Sequence, residues 1–187
     1  MIGRILKKRY AAFGERYGYD TGYLRDLVDL DRTGAFRLGL ADILARHRFG
    51  LPPAPYFAAR IVAARHAACG SCLKLAIDMA IEAGMALEDI RKLLLALDEA
   101  PPDMRLAARY AHAVLADDPD LPGVADDCVL RWGERGRAGL AAAVAGALFF
   151  PLFKRGLGRS DVCTPSLTRL IEPEAARDDK DADVPLA

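Results

Sequence analysis

The 187-residue sequence predicts an all-α fold, a bundle of seven to nine helices, and three observations predict it. Apolar residues recur at i, i+3, i+4 and i+7 through most of the chain, which is the period of one helix face. Alternating or β-branched runs that would mark strands are nearly absent. Gly and Pro gather at intervals, as in "FGLPPAP" and "DDPDLPG", and punctuate the periodic stretches.

In chain order, helices are predicted over residues 3–16, 21–30 and 36–47, then over 54–68 after the Pro-rich punctuation. The next, 71–84, opens behind Gly70-Ser71, with Ser71 as the expected N-cap. "LEDIRKLLLAL" sets Ile90, Leu93, Leu94 and Leu97 on one face and places Glu88 and Asp89 in its first turn, where the helix dipole favours negative charge. "PDMRLAARYAHAVLADD" repeats the pattern with Met104, Ala107, Ala108, Ala111, Val114 and Leu115. It opens on Pro102-Asp103 and closes before Pro119. Two more helices are expected over 122–133 and 137–150.

The uncharged run "AGLAAAVAGALFFPLF", residues 138–153, is shorter than the roughly 20 residues a bilayer requires, and Pro151 interrupts its end. A buried helix is expected there, not a membrane span. Its small residues form two ridges, Ala138, Ala142, Gly146 and Gly139, Ala143, Ala147. Such ridges permit close helix approach within or between subunits.

Three regions follow: a helical extension over 1–50, a core domain over 51–160, and a charged C-terminal tail over 161–187 that is expected to be partly disordered. Lys plus Arg and Asp plus Glu each total 26, so no electrostatic footprint for nucleic acid or an anionic membrane exists. The basic start "MIGRILKKRY" lacks the apolar run of a secretory signal, and a cytoplasmic location is expected. In that reducing compartment a close cysteine pair points to redox chemistry or metal binding, not to a permanent crosslink.

The pair is Cys69 and Cys72 in "CGSC". A thiolate at a helix N-terminus is stabilised by free backbone N–H groups and the positive end of the dipole. Three residues of separation allow the sulfurs to meet when oxidised. Zinc would require two more ligands, and Cys128 and Cys163 are isolated, so neither metal nor cofactor is expected. A thioredoxin-like setting requires a strand before the motif, whereas "PYFAARIVAARHAA" is helical. Two thiols serving only as core packing remain an alternative.

"CGSCLKLAIDMAIEAGM" resembles the motif of the alkylhydroperoxidase D-like, or carboxymuconolactone decarboxylase-like, family, C-x-x-C-x-x-x-H-x-x-x-A-x-x-x-G. Cys69, Cys72, Ala80 and Gly84 match in register. The order of helices is also similar over roughly residues 50–158. The resemblance implies an all-α homo-oligomer, trimer or hexamer, whose partners are a hydroperoxide and a thiol reductant. It implies that Cys72 attacks the peroxide, that Cys69 resolves the sulfenic acid into a disulfide, and that a His and a Glu relay protons.

Those relay positions hold Ala76 and Phe57, neither of which moves a proton. Asp78 points away from the cysteines and forms with Lys74 and Glu82 a stripe expected to be solvated. His66, three residues before Cys69, is the expected substitute partner. Arg60, Arg65 and Tyr56 are secondary candidates. The alternative function is a catalytically silent or small-ligand-binding helical oligomer of the same fold; a lactone decarboxylase activity has no marked site.

Overall fold

The computed structural model describes residues 2–159. The tail over 161–187, with Cys163, therefore lies outside the described residues. Among the described residues the chain forms eight α-helices and no strand. They are α1 (Ile2–Tyr17), α2 (Gly22–Leu30), α3 (Arg32–Ala45), α4 (Pro53–His66), α5 (Gly70–Glu82), α6 (Leu87–Leu95), α7 (Pro102–Ala116) and α8 (Leu121–Gly156).

The centre is α4, every residue of which is buried from Pro55 to Ala64. A helix apolar nearly all round has no solvent face and goes to the middle of the layers. Helices α7 and α8 pack on it and on each other, and α5 and α6 complete the shell. Ile61, Ile77, Ile90, Met104 and Leu140 are fully enclosed there. Each such side chain contributes about 1.5–3 kcal/mol of burial.

The two helices expected over 122–133 and 137–150 meet without a loop: α8 is broken by a kink at Gly133 (φ 70°, ψ 176°), at the expected boundary. A single residue outside helical space is enough to kink the path, and glycine takes this positive φ at little cost. The helix also runs on through Pro151 to Gly156 instead of stopping. Proline removes one backbone hydrogen bond, but Pro151 is buried and Phe149 stacks on Phe153 across that turn, with centroids 6.2 Å apart.

By length and composition α8 resembles a membrane span. One of its small-residue ridges, Gly139, Ala143 and Ala147, is buried within the chain. A methyl group at Gly139 would run into the Arg48 carbonyl and lie 2.9 Å from Leu51 Cβ, which is why the position is glycine.

Helices α1 to α3 lie over α5 and the end of α8. Tyr19, Tyr23 and Leu24 form one apolar cluster with Cys72, joined by Leu38, Leu75, Phe150 and Phe153. The Lys74, Asp78, Glu82 stripe is not simply a solvated face. Lys74 pairs with Asp78 at 2.5 Å and donates to the Tyr17 carbonyl, while Glu82 takes Arg16 and the Tyr17 hydroxyl. The stripe is the seam that fastens the end of α1 to α5.

Candidate active site

The turn between α4 and α5 builds the site. Ala68 adopts a left-handed conformation (φ 51°), and Arg155 from α8 donates to the Ala67 carbonyl at 2.8 Å. The chain then enters α5 with Cys69, not Ser71, as N-cap. Ser71 lies inside the first turn, where its hydroxyl sits 3.5 Å from Cys69 Sγ and accepts from Lys154 Nζ at 3.3 Å. Cys72 is in that first turn as expected and is buried, whereas Cys69 is half-buried.

The two sulfurs touch, 2.6 Å apart, and both cysteines are free. Their surroundings differ enough to decide which carries charge. Cys69 is held down to about 5 from an ordinary value near 9, first by its hydrogen bond with Cys72 and then, against burial, by Ser71, the Cys72 backbone N–H and the Lys154 cation. Cys72 is pushed upward, first by the same contact with Cys69 and then by burial and the neighbouring negative charge. The surroundings thus favour the thiolate on Cys69 and the proton on Cys72.

Three residues complete this centre that the sequence did not single out. Tyr19 Oη lies 3.8 Å from Cys72 Sγ and 3.2 Å from Tyr23 Oη. Lys154, only 3% exposed, reaches in from the end of α8 and sits over both tyrosine rings, 5.1 and 5.5 Å from their centroids. Burying an ammonium requires a compensating negative group, and among the described residues no carboxylate pairs with Lys154. The nearby Cys69 sulfur, whose thiolate the Lys154 cation favours, is the group placed to supply that charge.

His66 is not brought to the pair. It ends α4 exposed, makes no hydrogen bond or ion pair among the described residues, and acts electrostatically on His112 of α7. The left-handed Ala68 lies between it and the pair. Arg65 donates to the Leu94 carbonyl at the end of α6. Tyr56 accepts from Arg60 at 3.4 Å. Cys128 is enclosed in the core, where burial pushes its thiol up to about 11. Phe57 and Ala76 are both core residues. No group of three or more metal-ligating side chains forms among the described residues.

Beside the pair lies a cavity of about 270 Å³ between α1–α3 and the core. Cys72, Ala76, Tyr19 and Tyr23 lie on its wall, with Leu24 and Phe150 among the apolar side chains that line it. Cys72 therefore lies on the wall of a mostly apolar cavity that is partly open to solvent.

No family model, curated protein or solved structure matches the chain. The functional reading accordingly rests on the chemistry of these residues and on the motif resemblance.

Proposed function

We propose that this protein is a dithiol–disulfide redox enzyme that reduces an organic hydroperoxide through Cys69 and Cys72. The observation that carries the proposal is Lys154, buried without a carboxylate and set against a CxxC pair whose sulfurs are in contact. Such a site stabilises a thiolate, and the thiolate is the reactive form of cysteine. The hydroperoxide as oxidant comes from the motif resemblance.

The pair does without the relay residues because each cysteine serves the other. A proton shift across the sulfur contact turns Cys72 into the thiolate on the cavity wall and leaves Cys69 as the thiol. The Cys72 sulfur attacks the distal peroxide oxygen, the O–O bond breaks, and the alkoxide leaves as an alcohol with a proton from solvent. Lys154 and Tyr19 are the donors placed to pass that proton inward. Cys72 is then a sulfenic acid. The Cys69 sulfur attacks it, the S–S bond forms, and hydroxide departs as water with the Cys69 proton. Two thiols of an external reductant return the two electrons by exchange at the half-exposed Cys69.

The test exposes reduced protein to substoichiometric cumene hydroperoxide and maps disulfides by mass spectrometry. A Cys69–Cys72 bridge within seconds is expected. Cys69→Ser should accumulate a dimedone-trapped sulfenic acid on Cys72, because losing the Cys69 contact removes the largest influence raising that thiol. Thiols that persist after minutes sink the redox reading and leave the silent helical protein. An adduct confined to Cys69 in Cys72→Ser reverses the roles assigned.

A further inference from the structure

Arg60 is the second buried cation, 7% exposed, on the central helix α4. Its one hydrogen bond among the described residues goes to Tyr56 Oη at 3.4 Å, a long and neutral contact. No carboxylate pairs with it there. Lys154 has the Cys69 sulfur nearby, whereas among the described residues no anionic group answers Arg60, although a buried guanidinium without a counter-charge is strongly unfavourable. Its side chain lines the cavity that Cys72 also lines.

Two further arginines line the same cavity, Arg9 and Arg46, both exposed. They mark its mouth together with the partly exposed Phe36, Leu40 and Ile43. Among the described lining residues there are thus three arginines and no carboxylate, on an otherwise apolar surface. A neutral apolar guest would leave Arg60 uncompensated, and an inorganic anion would leave the apolar walls unfilled. A molecule with one anionic group and a hydrocarbon chain satisfies both. At roughly 30 Å³ per water-sized group the cavity holds about nine such groups, the carboxylate and about seven carbons, so that the end of a ten-carbon chain would extend into the mouth.

We infer that the cavity binds a medium-chain carboxylic acid, its carboxylate on Arg60 and its chain along the apolar wall, and that the substrate of the cysteine pair is the hydroperoxide of such an acid. The binding half stands alone; the substrate half rests on the redox reading above. A carboxylate suits Arg60 because a planar guanidinium pairs with it through two parallel hydrogen bonds. The exposed arginines draw the anion to the mouth.

Calorimetry on the reduced full-length chain tests the binding with decanoate and 1-decanol. Decanoate should bind at least tenfold more tightly than the alcohol, and Arg60→Met should abolish that preference while leaving the alcohol unchanged. Since position 60 is buried, Arg9→Glu, at an exposed site, provides a second variant that should weaken decanoate severalfold. Equal binding of acid and alcohol by the wild type, or a preference that survives Arg60→Met, overturns the inference. For the substrate half, decanoate should competitively inhibit oxidation by a ten-carbon carboxylate hydroperoxide, and Arg60→Met should raise the KM for that hydroperoxide at least tenfold relative to the KM for cumene hydroperoxide; an unchanged ratio overturns the substrate half. Decanoate binding with no hydroperoxide oxidising the pair removes the redox reading and the substrate half together but keeps the binding site. Oxidation by cumene hydroperoxide without decanoate binding does the reverse.

Discussion

Replacing Lys154 by Gln removes the buried positive charge beside the cysteine pair and leaves a side chain of similar length. Lys154 Nζ is 3.3 Å from Ser71 Oγ, which is 3.5 Å from Cys69 Sγ, so cation and sulfur lie within about 7 Å. At an effective dielectric of about 20 this separation corresponds to about 2 kcal/mol. Cys69 is only half-buried, and solvent screening reduces the effect by about half, leaving a change of roughly one pKa unit. The Cys69 thiol, held down to about 5 chiefly by its hydrogen bond with Cys72, should then titrate near 6, about one unit higher. The assay is the rate of iodoacetamide alkylation at Cys69 against pH, read residue by residue by mass spectrometry so that Cys128 does not contribute. Lys154→Arg, which keeps the charge, should stay near the wild type, and circular dichroism checks that each variant folds. Equal midpoints for wild type and Lys154→Gln would refute the electrostatic role of Lys154. A wild-type midpoint above about 8, near an unperturbed thiol, would refute the assignment of the thiolate to Cys69.

The same charge makes stability depend on pH. Cys69 titrates lower in the folded chain than unfolded, so its contribution is fully present above the ordinary value near 9 and is lost as pH falls toward about 5. Cys72 is shifted upward, so its contribution is present below that ordinary value and lost above it. The Tm of the reduced protein should therefore rise from pH 5.5 to pH 8 by more than that of Cys69→Ser, measured by calorimetry; parallel curves would contradict the shifted thiolate. Ala76 is buried on the cavity wall one turn after Cys72, so Ala76→His should place a base beside the attacking sulfur. The single-turnover rate of disulfide formation should rise by about tenfold or more, and an unchanged rate would mean that the Cys69–Cys72 proton exchange already suffices.

Local periodicity made the helices legible, because an amphipathic face is written in neighbouring residues. Where the pattern is continuous, as over Ile90 to Leu94, expectation and structure agree to within a turn. At α8 the break signalled by Gly133 is present as a kink, whereas the stop signalled by Pro151 is not, and the helix runs on to Gly156 packed on α4 and α7. The cysteine pair was readable for the same local reason. Its partners were not: Tyr19 lies 53 residues before Cys72, and Lys154 lies 83 after Ser71. No spacing rule connects such distances. The one available signal was "FFPLFKR", a lysine at the end of an apolar run. His66 is near in sequence, with the left-handed Ala68 between it and the pair, and among the described residues it makes no hydrogen bond to either cysteine.

The two positions where the resemblance expects proton carriers acquire a physical meaning from the cavity. Ala76 lies on its wall and Phe57 packs in the core behind it. A carboxylate or imidazole at either place would have to be desolvated in an apolar space, which is costly for any charged form. Among the described residues the buried charged groups are instead Lys154, near the Cys69 sulfur, and Arg60, which pairs with no carboxylate. A pair of sulfurs that exchange one proton needs no buried base, and an apolar cavity with a single uncompensated cation favours an anion over water. On the proposed reading, the apolar residues at Phe57 and Ala76 and the arginine without a carboxylate partner among the described residues belong to one arrangement, in which the cysteines would carry the acid–base chemistry and a guest would bring the polar complement of Arg60.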